Sequence, residues 1–477
     1  MGKNILNEKG ISFNQIEKEI FKRKCEEAAM ETRALLERCD DLIAEERDKK
    51  KYRNKGKRTT TIKTVYGDVT YRRRVYQTTT DEGLKAYVYL LDEEMGMEKI
   101  GLISTNLGEK IAATVIQDSF RVTSERITDT CGQSISHSGA WNFTQRLGEK
   151  MTEEDEAAVS DMNAGNIKGE RAVPVLFEEM DGLWLDMQGK GARKVPGREL
   201  KMSTIYEGWD ASSKKASKLI EKTVFAGMER SEDFLEKREA KICQKYDPEK
   251  IGQRILNGDG GGWIKDPYEP KTIEQTDRYH VVKEIRSKIA DEEYQRMLQK
   301  LLRGDNIEEL IEHVQIYADS VATDDENDDR EEKALELKRY LKNQNEKLRR
   351  YDNRGIDIPK APEGIVYKYL GTQENQNATV AAGRMKHGRR RWSVKGAHNM
   401  AQLLCHSENG DLIAAVNRFT DRYLPDSMIE TEILSVAKSP RVDGKGNNPY
   451  VDRFGCHLPI LDSSNSRSVK MFKGLIW

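Results

Sequence analysis

Three acidic residues stand where the chain meets glycine or a turn: Asp181 in Met180-Asp181-Gly182, Asp259 in Gly258-Asp259-Gly260, and Glu374 shortly after Gly371. Glycine opens backbone conformations closed to other residues and lets other groups approach closely, so an acid at such a place is presented rather than buried. In "NGDGGGWIK" the competing reading is a plain Asp-Gly turn. If the three side chains converge, they cannot all stay ionised without a compensating cation, which implies a metal. Hard oxygen ligands without cysteine suit Mg2+ or Mn2+ rather than zinc. Two such ions, ~3.5–4 Å apart, would activate a water or a 3′-hydroxyl and stabilise the leaving oxygen in phosphoryl transfer. Spacing alone does not select this trio from 81 acidic residues, and Glu178, Glu179 and Asp186 compete with Asp181.

The surrounding patterns predict the elements that would carry these acids. Two apolar runs, "VPVLF" and "LWLDM", flank Asp181-Gly182, and "ELKMSTIYEGWD" supplies a third strand of an antiparallel meander. Residues 211 to 247 read as helical. "KIGQRILNGDGGGW" predicts a strand ending at Asp259, and "TIEQTDRYHVVKEIRSKI" a short strand passing into a helix near Tyr279. This mixed order fits a ribonuclease-H-like core. Helical periodicity fills His280 to Asp352 apart from the acidic "ATDDENDDREEK", which lacks the glycine of a calcium loop and reads as a solvated connection. Beyond it the core resumes with a loop and helix carrying Glu374.

Upstream, residues 12 to 52 form an amphipathic helix or helix pair, followed by a β-hairpin in "RTTTIKTVYGDVTYRRRVYQ". Ser119 or Ser124 caps one further helix, Gly132 ends it, and "SISHSGAWNFTQRL" begins another. Helix, short turn, helix is the outline of a helix-turn-helix, whose second helix enters a major groove. The expected segments are an N-terminal helical region at 1–56, a basic hairpin region at 57–100 and a helix-turn-helix-like region at 101–165. The core follows in two parts, 171–280 and 356–425, around an all-helical insertion at 281–355, with a tail at 426–477. A chain of 477 residues is long enough for several domains.

The formal net charge is only -1, so overall charge does not announce a polyanion. Local clusters do more: "RDKKKYRNKGKR" holds eight cationic side chains against one acidic, and "YRRRVY" and "RMKHGRRRW" follow. Lys55, Lys57, Arg58, Arg72, Arg73 and Arg74, and later Arg384, Lys386, Arg389, Arg390 and Arg391, are candidates for phosphate contacts. A solvated charged face is the alternative for any single run. Trp263 either stacks on a base or covers the sheet. Six dispersed cysteines without a C-x-x-C pair argue for reduced thiols, and no apolar run approaches a membrane span, so the expected location is the cytoplasm. Leu6 in the opening "MGKNIL" argues against myristoylation.

The chain resembles bacterial insertion-sequence transposases of the ISLre type, distant relatives of the Mutator-like DDE transposases. The likeness is carried by "RTTTIKTVYGDVTYRRRVY", "EEMDGLWLDMQ", "NGDGGGWIK", "TDRYHVVKEI" and "GTQENQNATVAAGRMKHGRRRWSVKGAHNMAQLL". The resemblance implies a DDE triad of Asp181, Asp259 and Glu374 on a ribonuclease-H-like core, with a helical insertion before the glutamate. It matches Asp277 and His280 to a D-x-x-H element, in which His280 orients the scissile phosphate or bonds an acid; a core histidine is the alternative. It further implies double-stranded DNA partners, namely terminal inverted repeats and target DNA, two Mg2+ or Mn2+ ions, and a homo-oligomer joining two DNA ends. A non-catalytic DNA-binding derivative and a nuclease acting on RNA or branched DNA are the alternatives.

Overall fold

The computed structural model describes residues 12–95, 103–189, 195–212, 218–323 and 328–420. The expected tail at 426–477, the opening "MGKNIL" and part of the acidic run lie outside the described residues. The chain begins with helix α1 (Phe13–Glu46), started by a capping box between Ser12 and Gln15. Strands β1 (Arg53–Thr64) and β2 (Gly67–Thr79) form the hairpin, and β3 (Lys85–Val88) extends it. Because β3 pairs only with the end of β2, the earlier β2 edge is left open along Arg72 and Arg74. Helix α1 covers it: Glu37 and Asp40 accept bonds from the backbone N–H groups of Arg72 and Arg74 at 3.0 and 2.8 Å. The apolar stripe of α1 is buried only in its second half, at Leu36 and Ile43, while Phe13, Ile16, Ile20 and Phe21 are exposed.

Helices α2 (Leu90–Glu94), α3 (Thr105–Val115), α4 (Phe120–Thr130) and α5 (His137–Asn163) follow. Ser104, Ser119 and Ser136 cap α3, α4 and α5, each side chain accepting a first-turn N–H. Ser124, the other candidate cap, lies inside α4 and donates to the Ile135 carbonyl. Their apolar faces share one core with the sheet edge and with later helices, through residues such as Phe143, Leu147, Met202 and Met400.

Strands β4 (Arg171–Leu185), β5 (Arg198–Tyr206), β7 (Thr223–Gly227), β8 (Tyr246–Gly258) and β9 (Ile273–Thr276) build a five-stranded sheet, with the short β6 (Trp209–Asp210) outside it. The order across the sheet is β7-β5-β4-β8-β9; the β7-β5 and β5-β4 pairs are antiparallel, and the β4-β8 and β8-β9 pairs parallel. Two expectations are corrected. Asp181-Gly182 is not a turn: β4 runs straight through it, joining both apolar runs into one central strand that is buried almost throughout. Residues 211–247 are not all helical, because the β-branched and aromatic "TVFAG" pairs with β5 and the helix α6 spans only Ser231–Lys245.

After β9 come α7 (Arg278–Lys288), α8 (Glu292–Arg303), α9 (Ile307–Val321) and α10 (Arg330–Leu348), packed on their own apolar cluster that includes Ile285, Leu302, Leu310 and Leu337. The chain returns through β10 (Ile365–Val366), which pairs with β6 in a separate two-stranded ribbon. A helical run follows: α11 (Gln373–Gln376), a π-helical stretch Asn377–Ala382, and α12 (Gly383–Met385). Helices α13 (Val394–Asn409) and α14 (Leu412–Thr420) complete the described chain. No described helix is long and apolar enough to cross a membrane.

Candidate metal and nucleic-acid site

Strands β8 and β9 end side by side at Gly258 and Thr276, level with Met180 of β4, at the kind of edge where open α/β sheets gather ligand-binding groups. Alternation on β4 turns Glu179 and Asp181 to one face and Glu178 to the other. The last register pair between β4 and β8 is Met180 with Gly258, so Asp181 and Asp259 stand one step beyond the end of that ladder. Thr276 pairs with Gly258 across β9, and the Asp277 N–H donates to the Gly258 carbonyl at 2.6 Å.

Glu179, fully buried, is the structural hub. It accepts bonds from Tyr206 Oη (2.6 Å), Asn257 Nδ2 (3.0 Å), the Gly371 N–H (2.9 Å), the Thr372 N–H (2.9 Å) and Thr372 Oγ1 (2.8 Å). The carboxylate thereby fastens the loop preceding α11 to the sheet centre and sets where Glu374 stands. Charge-assisted bonds of this kind are the stronger class of hydrogen bond. Among the three competing acids, Glu179 is thus engaged in fastening that loop. Glu178 faces the other way into a buried cluster with Arg238, whose Nη1 lies 2.9 Å from its Oε2.

Asp181 is buried; its Oδ1 accepts the Gly182 N–H (2.8 Å) and its Oδ2 accepts Asn377 Nδ2 (2.7 Å) and lies 3.6 Å from His280 Nε2. One potential ligand atom each from Asp181, His280 and Glu374 lies within 4.8 Å of the others. Glu374 is exposed and His280 half-buried, so the group opens to solvent on one side. Donors on opposite sides of one hard divalent ion stand roughly 4–5 Å apart, so this set fits a shared ion. Asp259 is outside that group: its Oδ1 accepts the Gly261 N–H at 2.7 Å, while Gly260 takes a left-handed φ of 85°. Its charge nonetheless reaches His280, whose pKa is raised, first by pairing with Asp181 and further by Asp277 and Asp259, against the effect of burial. In the absence of an ion, the Asp181 carboxylate favours the charged form of this imidazole.

Asp277 caps α7, its Oδ1 accepting the Tyr279 N–H at 2.8 Å. Burial, with the charges of Glu179 and Asp181 adding, pushes its carboxyl up to about 6. Sequence reasoning missed Asn377 and offered Glu179 only as a rival of Asp181. The D-x-x-H spacing marked Asp277, but no local signal distinguishes a buried hub such as Glu179 from its neighbours.

The basic candidates divide sharply. Lys55, Arg58, Arg72, Lys386, Arg389 and Arg391 are exposed. Arg73 is buried, pairs with Asp92 at 2.6 Å and lies over the Tyr89 ring. Arg74 bridges Asp40 and Asp41 at 2.7 and 2.6 Å, and Lys57 lies 3.0 Å from Asp41. Arg384 is buried between Phe120 and Trp392 and donates to the Val115 carbonyl; burial lowers its pKa to about 10. Arg390 caps the Gly383 carbonyl at 3.1 Å. Hence Arg73, Arg74 and Arg384 hold elements together, and the sequence could not separate them from their exposed neighbours. Trp263 is half-buried, donates to Glu199 at 3.3 Å and meets Phe234 edge-on, covering the sheet.

Comparison with known proteins supplies an independent placement. The chain is 26% identical over 381 residues to a UPF0236 protein of Caldanaerobacter subterraneus subsp. tengcongensis, covering 79% of this chain and 74% of the relative. It is 25% identical over 358 residues to the UPF0236 protein in the vanSb 3′ region of Streptococcus gallolyticus, covering 72% of each. Among solved structures, the Drosophila P element transposase strand transfer complex aligns at 11% identity over 71% of this chain and 87% of that one, with a TM-score of 0.19, too low to bear on fold. The model of UPF0236, an uncharacterised protein family, matches residues 6–422. The chain therefore belongs to the UPF0236 family.

Proposed function

We propose that this chain is a DDE transposase of the ISLre type, which binds the ends of an insertion sequence and catalyses metal-dependent DNA strand cleavage and strand transfer. The carrying observation is the gathering of Asp181, His280 and Glu374, with Asp259 one register step away, at the ends of parallel strands. The strand order β7-β5-β4-β8-β9, with β5 alone running against the other four, supports a ribonuclease-H-like core by analogy of topology. Asp181, Asp259 and Glu374 would hold the Mg2+ or Mn2+ ions, which activate the attacking oxygen and stabilise the leaving one when bound. Asn377 and Gly182 orient Asp181, leaving its Oδ2 directed at the shared position. Glu179 sets the loop that carries Glu374. His280, its charged form favoured by Asp181, is placed to steady a phosphate oxygen. Exposed Lys55, Arg58 and Arg72 on the hairpin, and Lys386, Arg389 and Arg391 beyond Glu374, would grip the duplex backbone. The protein would act in the cytoplasm on chromosomal DNA as a homo-oligomer that brings two ends together.

A non-catalytic DNA-binding protein derived from a transposase is the second reading, favoured by the position of Asp259 outside the compact group. The deciding experiment is Mg2+- or Mn2+-dependent cleavage of a labelled duplex carrying the DNA that borders the gene, comparing the parent with Asp259→Ala. Cleavage that falls at least ~100-fold in the variant while binding persists is expected for a lost metal ligand. Binding without cleavage in both proteins selects the second reading.

A further inference from the structure

Between α8, the end of α10 and the chain entering α11 lies a cavity of about 380 Å³ lined by Gln275, Arg278, Arg303, Arg350, Tyr369 and Leu370 among others. Its size is at the low end of small-ligand sites, roughly 300–1,000 Å³, so it suits one nucleotide rather than a duplex. Three guanidiniums line it, and the carboxylates that pair with them are Asp305, on Arg278, and Asp352, on Arg350. Arg303 is exposed and has no ion pair among the described residues. The Nε–H groups of both Arg278 and Arg350 are buried without an acceptor among the described residues. A buried donor left unpaired is costly, and a ligand oxygen would relieve it. Tyr369, 69% exposed, has the Arg350 guanidinium 3.6 Å from its ring centre on one face. A large exposed aromatic stiffened by a stacked cation is a platform for a flat ring.

The cavity wall is also continuous with the candidate site. Tyr369 and Leu370 immediately precede Gly371 and Thr372, whose N–H groups Glu179 holds. Gln275 donates to Asn257 at 3.4 Å, and Asn257 donates to Glu179 at 3.0 Å. An occupant touching Tyr369 and Gln275 is therefore linked to the loop that positions Glu374 by two routes, one covalent and one through hydrogen bonds.

We propose that this cavity takes a single unpaired nucleotide of a DNA strand, its base stacked on Tyr369 and its phosphate met by Arg303 and by the free Nε–H groups of Arg278 and Arg350. The assignment rests on the transposase reading for the identity of the polymer. Base stacking and phosphate contact do not require metal, so the site is testable by binding alone. The measurement is the affinity of the full chain for a fluorescein-labelled duplex with a three-nucleotide single-stranded overhang against its blunt counterpart, without divalent metal. Stacking of one base predicts a preference for the overhang of about 5- to 20-fold in the parent. That preference disappears in Tyr369→Ala, survives in Tyr369→Phe and falls in Arg303→Ala, with blunt-duplex affinity changed least by the tyrosine variants. Equal binding of both duplexes by the parent, or an overhang preference that persists in Tyr369→Ala, overturns the proposal. Titration of deoxyadenosine monophosphate separates the two sources of the same chemistry. Saturable binding of it that needs Tyr369, without overhang preference, assigns the cavity to a free nucleotide and overturns the strand assignment. An overhang preference alongside absent cleavage leaves the cavity assignment standing and removes only the catalytic reading.

Discussion

At the scale of single residues, charge in the sheet interior is arranged on two faces with opposite consequences. Glu179 is met by six donors and holds a loop, whereas Glu178 sits in a cluster where Glu178, Glu239 and Asp266 face Arg238 and Arg254. Three carboxylates against two guanidiniums leave one excess negative charge, which a proton on Glu178 removes. Burial accordingly pushes Glu178 up to about 7, from 4.5 for a free glutamate. A raised folded-state pKa means that the folded chain binds the proton more tightly than the unfolded chain. The associated stability is full below 4.5 and is lost as pH rises through about 7. Glu178→Gln stays neutral at every pH, so the parent's Tm should decline relative to the variant's by ~2–5 °C between about pH 5 and pH 8. Parallel Tm profiles in differential scanning calorimetry would remove this account. Glycine flanking offered Asp181 and Glu374 only as two acids among many, and His280 entered through the D-x-x-H resemblance; the structure groups these three and leaves Asp259 outside. The hub role of Glu179 was not legible, because a glutamate next to another in a strand differs from it only in which face the pleat turns to the core.

At the scale of elements, the basic hairpin shows how a charge run divides between packing and solvent. Alternation along β2 buries Arg73 on Asp92 and leaves Arg72 exposed, while Asp40 and Asp41 of α1 neutralise Arg74. Replacing Lys55, Arg58 and Arg72 together by glutamine should weaken duplex binding and reduce the slope of log K against log salt by about 2–3. Arg73→Gln should instead lower Tm and leave that slope unchanged, because it removes the buried ion pair with Asp92. Fluorescence anisotropy over a sodium chloride series checks both, and an unchanged slope in the triple variant would detach the hairpin from DNA. The hairpin itself was readable from its β-branched and aromatic composition. The continuity of β4 through Asp181-Gly182 was not, since a turn dipeptide is overridden when one partner strand, here β5, pairs with the residues before, within and after it. The strand β7 was hidden for a similar reason: "TVFAG" is too short to show a period and is recruited by the edge of β5.

At the scale of the whole molecule, the sheet is built from β4 and β8 early in the chain, yet it is completed by residues that follow four helices. Glu179 depends on Gly371 and Thr372 for three of its bonds, at sequence separations of 192 and 193. A chain ended after Leu370 would enclose a carboxylate with its main donors missing, at a cost of several kcal/mol. Such a truncation should be recovered as insoluble or protease-sensitive protein, where the full chain resists limited trypsin digestion. A soluble, protease-resistant fragment would show that the hub is dispensable. Synthesis at ~5–20 residues per second puts roughly 10–40 s between emergence of Glu179 and of its loop partners. The arrangement therefore acts as a proofreading step on the gene product itself. Copies cut short before Gly371 would be cleared by proteases, because the same contact that sets Glu374 certifies that the chain has been read through to it.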